Sequence, residues 1–370
     1  VGVETSTIAA FIAAGGALAV SVISWLASRS NQQLNIKNQV ELQRYEKDLK
    51  RLQAEIDEKR AERDARRDYE YEALKRLYQE CSPLLFQLSE QAMLALDRIR
   101  GLADTAAQGN LGPGSHSWLT SNRYRYYRAS TEYRLLAPLA TFKLLQQRLT
   151  RLDMSLDPEI HLIYVLARQA ARVISDDFEL ARAALPELSY QPHTPTAEAL
   201  RTFNPATYWQ QGVPRGILDS AIQTLLVKED DGSRRVMSFL EFEAARKNVD
   251  GAVGGALERI GYLFVNFHPK ERPVLWRILL ATACIYSSIV TLAEREHLRA
   301  TSPNTTNLPQ LLHVDFDAFD WRVDKGNASE AQDISVAVQA VRSYLSRELD
   351  ETVTRSMNAI SSRTPAVSLL

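Results

Sequence analysis

Residues 8–27 read IAAFIAAGGALAVSVISWLA. The run carries no charge, and Ser21 and Ser24 are its polar side chains. At about 1.5 Å of rise per residue, a helix of this length spans about 30 Å, the thickness of a bilayer's hydrocarbon core. Lipid offers the backbone no hydrogen bonds, so a spanning segment of this kind must be helical. Trp25 stands near the C-terminal end, where an aromatic ring suits the membrane interface. A cleaved signal peptide is the main competing reading, but it needs a basic start and a shorter apolar run. The only charge before Ile8 is Glu4.

Flanking charge sets the expected orientation. Arg29, Lys37, Arg44, Lys47, Lys50 and Arg51 follow the run, and no Lys or Arg precedes it. The positive-inside rule then puts residues 1–7 outside as a short external N-terminus and everything after the span in the cytoplasm. The expectation is a single-pass protein of the cell (cytoplasmic) membrane. Within the span, Ala9, Ala13, Ala17 and Ser21 recur every four residues, beside Gly15 and Gly16. Small residues at that spacing let two helices approach closely in lipid.

Residues 28–104 read as a helical stalk. No proline or glycine occurs from 30 to 80, and Glu, Lys, Arg, Gln and Leu dominate. Leu42, Tyr45, Leu49, Leu52 and Ile56 follow the alternating three-four spacing of a heptad seam. The next seam positions are Lys59 and Arg63, so the coiled-coil pattern is short. Residues 55–72, EIDEKRAERDARRDYEYE, place opposite charges four apart, as in Glu55/Lys59, Glu62/Arg66 and Glu72/Arg76. Such pairs add about 0.2–0.5 kcal/mol each and suit a solvated helix. Proline disfavours the helical conformation of its predecessor, so Ser82–Pro83 reads as a kink, or as a break with a fresh helix start, with the helix ending near Arg100.

Residues 105–118, TAAQGNLGPGSHSW, form a loop. Residues 119–362 then read as a cytoplasmic helical domain, followed by a tail at 363–370. Leu135, Leu139, Phe142, Leu145, Leu149 and Leu152 make a helical stripe within a segment from Leu119 to Leu152. A second helix runs from Pro158 to Leu185, residues 186–216 are irregular, and a short helix covers Ile217 to Leu226. Asp231–Gly232 supports a tight hairpin between Leu225–Lys228 and Arg235–Phe239. Further helices are expected over Glu241–Phe267 and from Ala331 onward. Residues 274–293, VLWRILLATACIYSSIVTLA, are long enough to span a membrane. In so helical a domain a central core helix is the commoner explanation, with a second span as the alternative. The fold class is therefore mainly α: one N-terminal transmembrane helix, a long and partly coiled-coil stalk, and a C-terminal helical-bundle-like domain with at most one small β-hairpin.

Composition constrains the chemistry. The 370 residues are 45% hydrophobic and 24% charged, with a formal net charge of −1, so no overall field draws nucleic acid. Cys81 and Cys284 are the only cysteines, which fits a reducing compartment, and the six histidines show no zinc-ligand spacing. GNLGPG lacks the Lys-Ser/Thr of a phosphate-binding loop. HVDFDAFD, residues 313–320, misses both the calcium-loop pattern and the residues expected after a phosphotransferase aspartate. No catalytic residue, metal site or cofactor is expected from these motifs.

One segment stands out. Residues 123–128 read RYRYYR, and between Thr120 and Leu152 there are seven basic residues and one acidic residue, Glu132. Arg123, Arg125 and Arg128 with Tyr124 and Tyr127 are candidates for an anionic ligand, by guanidinium–phosphate pairing and stacking. The plainer alternative is that the tyrosines pack in the core and the arginines find carboxylates. The functional expectation is a membrane-tethered helical interaction or sensor module of bacterial type. It self-associates as a homo-oligomer in the bilayer and binds a protein partner or a small anionic ligand rather than nucleic acid. Two alternatives come from other classes. One is a pore-forming or depolarising effector of a bacterial response or defence system. The other is a membrane-bound enzyme acting on a phosphorylated substrate.

Overall fold

The computed structural model describes residues 4–114, 116–150, 152–182, 189–191, 207–209, 211–248, 252–301 and 312–363. The protein is mainly helical. It divides into two compact units, Val1–Glu72 and Ala73–Leu370, and helix α1, Glu4–Ala107, contributes to both. From Ala73 onward, residues expected to be stalk belong to the larger unit. The helix also ends later than the expected Arg100.

In the first unit the helix is solvated throughout its described side chains. Arg51 pairs with Glu55 at 3.5 Å, Arg67 with Asp64 at 3.2 Å and Arg66 with Glu70 at 3.0 Å. Arg66 has a glutamate four residues away on either side and takes Glu70 rather than the expected Glu62. Exposed pairs of this kind are close in energy, so the sequence alone does not choose between them.

The second unit is built on α1's own apolar stripe. Leu77, Cys81, Leu85, Leu88, Ala92 and Ala95 are all at most 4% exposed and recur every three or four residues. No fresh helix starts at Ser82–Pro83; α1 is continuous through Pro83. The proline is on the exposed face, as is Gln79, whose carbonyl loses its intrahelical donor, so water can satisfy that oxygen. The buried stripe on either side holds the helix together.

Helix α2, Arg125–Leu149, lies antiparallel to this part of α1. Four polar ties fix the register: Glu80 with Arg148 at 3.0 Å, Gln91 with Thr141 at 2.5 Å, Arg98 with Ser130 at 2.9 Å and Thr105 with Tyr127 at 2.8 Å. The start of α2 is later than expected because Ser121 caps a 3₁₀ turn, Asn122–Tyr124, ahead of it. Helix α3, Pro158–Val173, begins with proline in its first turn. The Asp157 carboxylate accepts from the amides of Glu159 and Ile160 at 2.8 and 3.1 Å. The chain breaks after Val173 and resumes as the short α4, Asp177–Arg182, where a single helix to Leu185 was expected.

Among the described residues there is one β-hairpin, as expected, and beside it a short parallel pair. Strand β1, Ser189–Gln191, pairs in parallel with β2, Thr207–Trp209, in a region expected to be irregular. After α5, Arg215–Thr224, the predicted hairpin forms from β3, Leu226–Lys228, and β4, Arg234–Val236. Gly232 supplies the positive φ of 83° that the turn requires. The second strand stops at Val236 because Ser238 begins α6, Phe239–Lys247, with a capping box to Glu241. The single helix expected over Glu241–Phe267 is two, α6 and α7, Ala252–Leu263.

Helix α8, Pro273–Thr301, is the centre of the unit. It packs against α3, α4 and the last helix, α9, Ala328–Arg363. Within Pro273–Glu294 the most apolar 18-residue window is 83% buried inside the unit. Leu275, Trp276, Ile278 and Leu279 are each at most 3% exposed. Cys81 and Cys284 are both free and buried. Burial pushes their thiols up, to about 11 and about 12 respectively.

Candidate functional site

Two kinds of surface follow from the sequence, and each can be located. On the first unit, the seam residues face solvent: Leu42 is 60% exposed, Tyr45 68%, Leu49 66%, Leu52 58% and Ile56 36%. The helix in which they sit offers no second element within its own unit to cover them. Nearer the start, Leu18, Val20, Ile23, Trp25 and Leu26 are all more than half exposed, and so are Ala17 and Ser21 at least in part. Ala9 and Ala13 lie on helical backbone, but their side chains fall outside the described residues.

The basic aromatic segment lies on the second unit, and its residues divide. Tyr124 stacks on Trp118 with ring centroids 5.2 Å apart, and Tyr127 meets the same indole edge-on at 5.4 Å. The Tyr127 hydroxyl also donates to the Gly101 carbonyl at 3.2 Å. The two tyrosines therefore join α2 to the loop before it. Arg123 lies over the ring of Tyr124 at 5.6 Å and is otherwise exposed, and Arg125 is exposed.

Arg128 is committed elsewhere. Its Nε donates to Glu132 Oε1 at 2.9 Å, one turn along α2. Glu132 has no exposed surface, and its other oxygen accepts from Arg246 Nε of α6 at 2.7 Å. Arg246 Nη2 reaches Oε1 as well, at 3.1 Å. Two guanidiniums thus enclose one carboxylate, the arrangement in which a buried charge is tolerated. Gly261 of α7 makes room for it: a Cβ there would come within 2.3 Å of Arg128 Nη2. Arg125 and Arg128, both candidates for an anionic ligand, therefore face different environments.

Arg98 was not singled out by sequence reasoning. It is 7% exposed, its guanidinium lies 4.4 Å from the centroid of the Tyr127 ring, and burial pulls its pKa down. The signal was present. Position 98 falls three residues after Ala95 and four before Leu102, on the buried stripe of α1.

The acidic segment 313–320 is local turn chemistry. Asp315 accepts from the Asp317 amide at 3.0 Å, and Asp320 holds Arg322 through Nη2 at 2.8 Å and Nε at 2.9 Å. Among the described residues, no hydrogen bond or ion pair joins Asp315 or Asp317 to Arg123, Arg125 or Arg128. No group of three or more His, Cys, Asp or Glu among the described residues is arranged to hold a metal ion. The chain matches no protein-family model, no curated protein and no solved structure.

Proposed function

We propose that this chain is a membrane-tethered helical module that self-associates through its N-terminal helix and carries a folded helical domain in the cytoplasm for a protein partner. The observation that carries the reading is the exposure of Leu42, Tyr45, Leu49, Leu52 and Ile56 along one heptad seam. Side chains of this size gain about 1.5–3 kcal/mol each on full burial, and a second copy of the same helix is the surface with matching spacing. Five positions make a short coiled coil. Confinement of the apolar segment 8–27 to a membrane would raise the effective concentration enough for a short seam to act.

The competing readings have less support. Burial of α8 weighs against a second membrane segment, on which the pore-forming effector would depend. No hydrogen bond or ion pair among the described residues joins Asp315 or Asp317 to the arginine segment, which leaves an enzyme built from those groups with less support. An anionic ligand at the RYRYYR segment would rely on Arg123 and Arg125, because Arg128 is engaged by Glu132.

The test is crosslinking in membranes with an amine-reactive reagent, for which Lys37, Lys47 and Lys50 flank the seam. The parent chain is expected to give crosslinked oligomers. Leu49→Glu with Leu52→Glu is expected to remove most of them while the melting of the helical domain stays unchanged. Equal crosslinking in parent and variant would overturn the seam as the association surface.

A further inference from the structure

A cavity of about 670 Å³ opens on the helical unit among α2, α3, α5 and α9. Its volume lies within the range, about 300–1,000 Å³, of sites that take organic ligands. The apolar part of its wall is Leu139, Phe142, Val165, Leu218, Ile222 and Leu349, drawn from all four helices.

The charged part of the wall is unbalanced once its internal pairs are removed. Arg172 donates to Asp176 at 3.1 Å and to Glu348 at 2.7 Å, linking α3 to α9. The Tyr344 hydroxyl adds a bond to Asp176 at 2.7 Å. Both carboxylates are thereby satisfied. Lys143, Arg168 and Arg215 remain, one each from α2, α3 and α5. Among the described residues, Arg168 and Arg215 make no ion pair or guanidinium hydrogen bond, and Lys143 has only the Gln146 amide oxygen at 3.4 Å. Asp219 is the one acid in the wall without a partner among the described residues. Counted whole, the wall carries four cations, Lys143, Arg168, Arg172 and Arg215, against three carboxylates, Asp176, Asp219 and Glu348, and it is the cations at 143, 168 and 215 that no carboxylate among the described residues engages.

Arg215 adds a second sign of the same kind. It is the first residue of α5, a helix with no acidic residue in its first turn and no side-chain cap from Pro214. A cation there opposes the helix dipole. A bound anion reverses that sign.

From this we infer that the cavity binds a phosphate monoester carrying an apolar or aromatic body. Three cations with no carboxylate partner among the described residues converge on the hollow, guanidinium grips phosphate with paired hydrogen bonds, and the apolar wall takes the body. A free phosphate ion would leave most of the volume unfilled. Nucleoside monophosphates and phosphatidic-acid headgroups share this chemistry. The inference stands apart from the seam and does not depend on self-association.

The experiment titrates the full chain, held in nanodiscs of zwitterionic lipid, with AMP, dihexanoyl phosphatidic acid, adenosine and inorganic phosphate. At least one of the two monoesters is expected to bind more tightly than adenosine and inorganic phosphate, and less tightly as salt is raised. Arg168→Ala with Arg215→Ala should weaken binding by about tenfold to a hundredfold, the loss of one or two charge-assisted hydrogen bonds. Asp219→Asn removes the opposing charge and should tighten it by a few fold, which keeps the test decisive if the double variant unfolds. Binding of AMP alone identifies a soluble nucleotide as the source, binding of the lipid alone a headgroup, and binding of both a site that reads the phosphate first. If neither monoester binds, the inference is wrong. It is equally wrong if binding survives the double arginine change, is unmoved by Asp219→Asn, or is lost instead with Arg123→Ala and Arg125→Ala.

Discussion

Arg277 Nη1 donates to the Leu180 carbonyl oxygen at 2.8 Å, across 97 positions of sequence, and to the Ala181 carbonyl at 3.3 Å. Leu180 and Ala181 lie at the end of α4, so a cation is set against carbonyls that a helix leaves unpaired. Arg277 is 1% exposed. In the sequence it reads as a charge near the start of a run long enough to span a bilayer. In the folded unit it fastens the central helix to a neighbouring one.

Replacing Arg277 with Met keeps the length of the side chain and removes these bonds. Two buried carbonyls then lose a charged donor, at about 1–3 kcal/mol for each group left unsatisfied. The expected result is a loss of roughly 2–4 kcal/mol in denaturant unfolding. Arg277→Lys should recover part of it. A Met variant as stable as the parent would show that these bonds contribute nothing.

Glu132 should prove more sensitive. Changing it to Leu leaves Arg128 and Arg246 facing each other with no countercharge, and breaking a buried ion pair from one side costs about 3–5 kcal/mol. Adding Arg246→Met to Glu132→Leu removes one orphaned charge. The double variant should therefore be less destabilised than the sum of the two single variants. Strict additivity would mean that the three side chains do not act as one unit. Gly261→Ala tests the same cluster from behind, since its Cβ displaces Arg128 from its position over the glycine.

What was legible in the sequence was local. The Asp157–Pro158 start of α3 and the Asp231–Gly232 turn each rest on residues within a few positions of one another. The stripe Leu135, Leu139, Phe142, Leu145 and Leu149 is buried as its period requires. Pro83 was misjudged as a fresh helix start because the rule for proline concerns its own backbone, whereas the outcome depended on which face of α1 met solvent. The pairing of Glu132 with Arg246 joins residues 114 positions apart, and no spacing rule reaches that far. The cavity was equally out of reach, because its cations come from three helices whose order in the chain says nothing about their convergence. In the arginine segment the one acidic residue among seven basic ones, Glu132, takes up Arg128, the plainer of the two readings for that residue, while Arg123 and Arg125 stay exposed.

Membrane topology gives a separate prediction. The basic residues from Arg29 to Arg51 should hold their side of the span in the cytoplasm. A reporter fused after Leu370 is expected to be active in a cytoplasmic assay and silent in a periplasmic one. Periplasmic activity at that junction would mean either the reverse orientation or a second crossing, the latter against the burial of α8.

His268 gives a pH dependence with a definite sign. Its ring packs edge-on against Trp321 at 5.3 Å, and its Nδ1 accepts from the Lys270 amide at 3.1 Å. Burial, and then the charge of Lys270, pull its pKa from 6.5 down to about 4. Protonation would also turn the accepting nitrogen into a donor facing another donor. Between those two values the unfolded chain holds a proton that the folded one does not. The stability owed to this site is therefore fully present above pH 6.5 and falls as pH drops toward 4. The slope is at most about 1.4 kcal/mol per pH unit, and partial exposure of the ring reduces it. His268→Gln retains an acceptor for the Lys270 amide and cannot titrate. Unfolding of parent and variant at pH 7, 5.5 and 4.5 should show the variant losing less stability on acidification. An NMR titration that found the imidazole protonating near its ordinary value would contradict the burial argument directly.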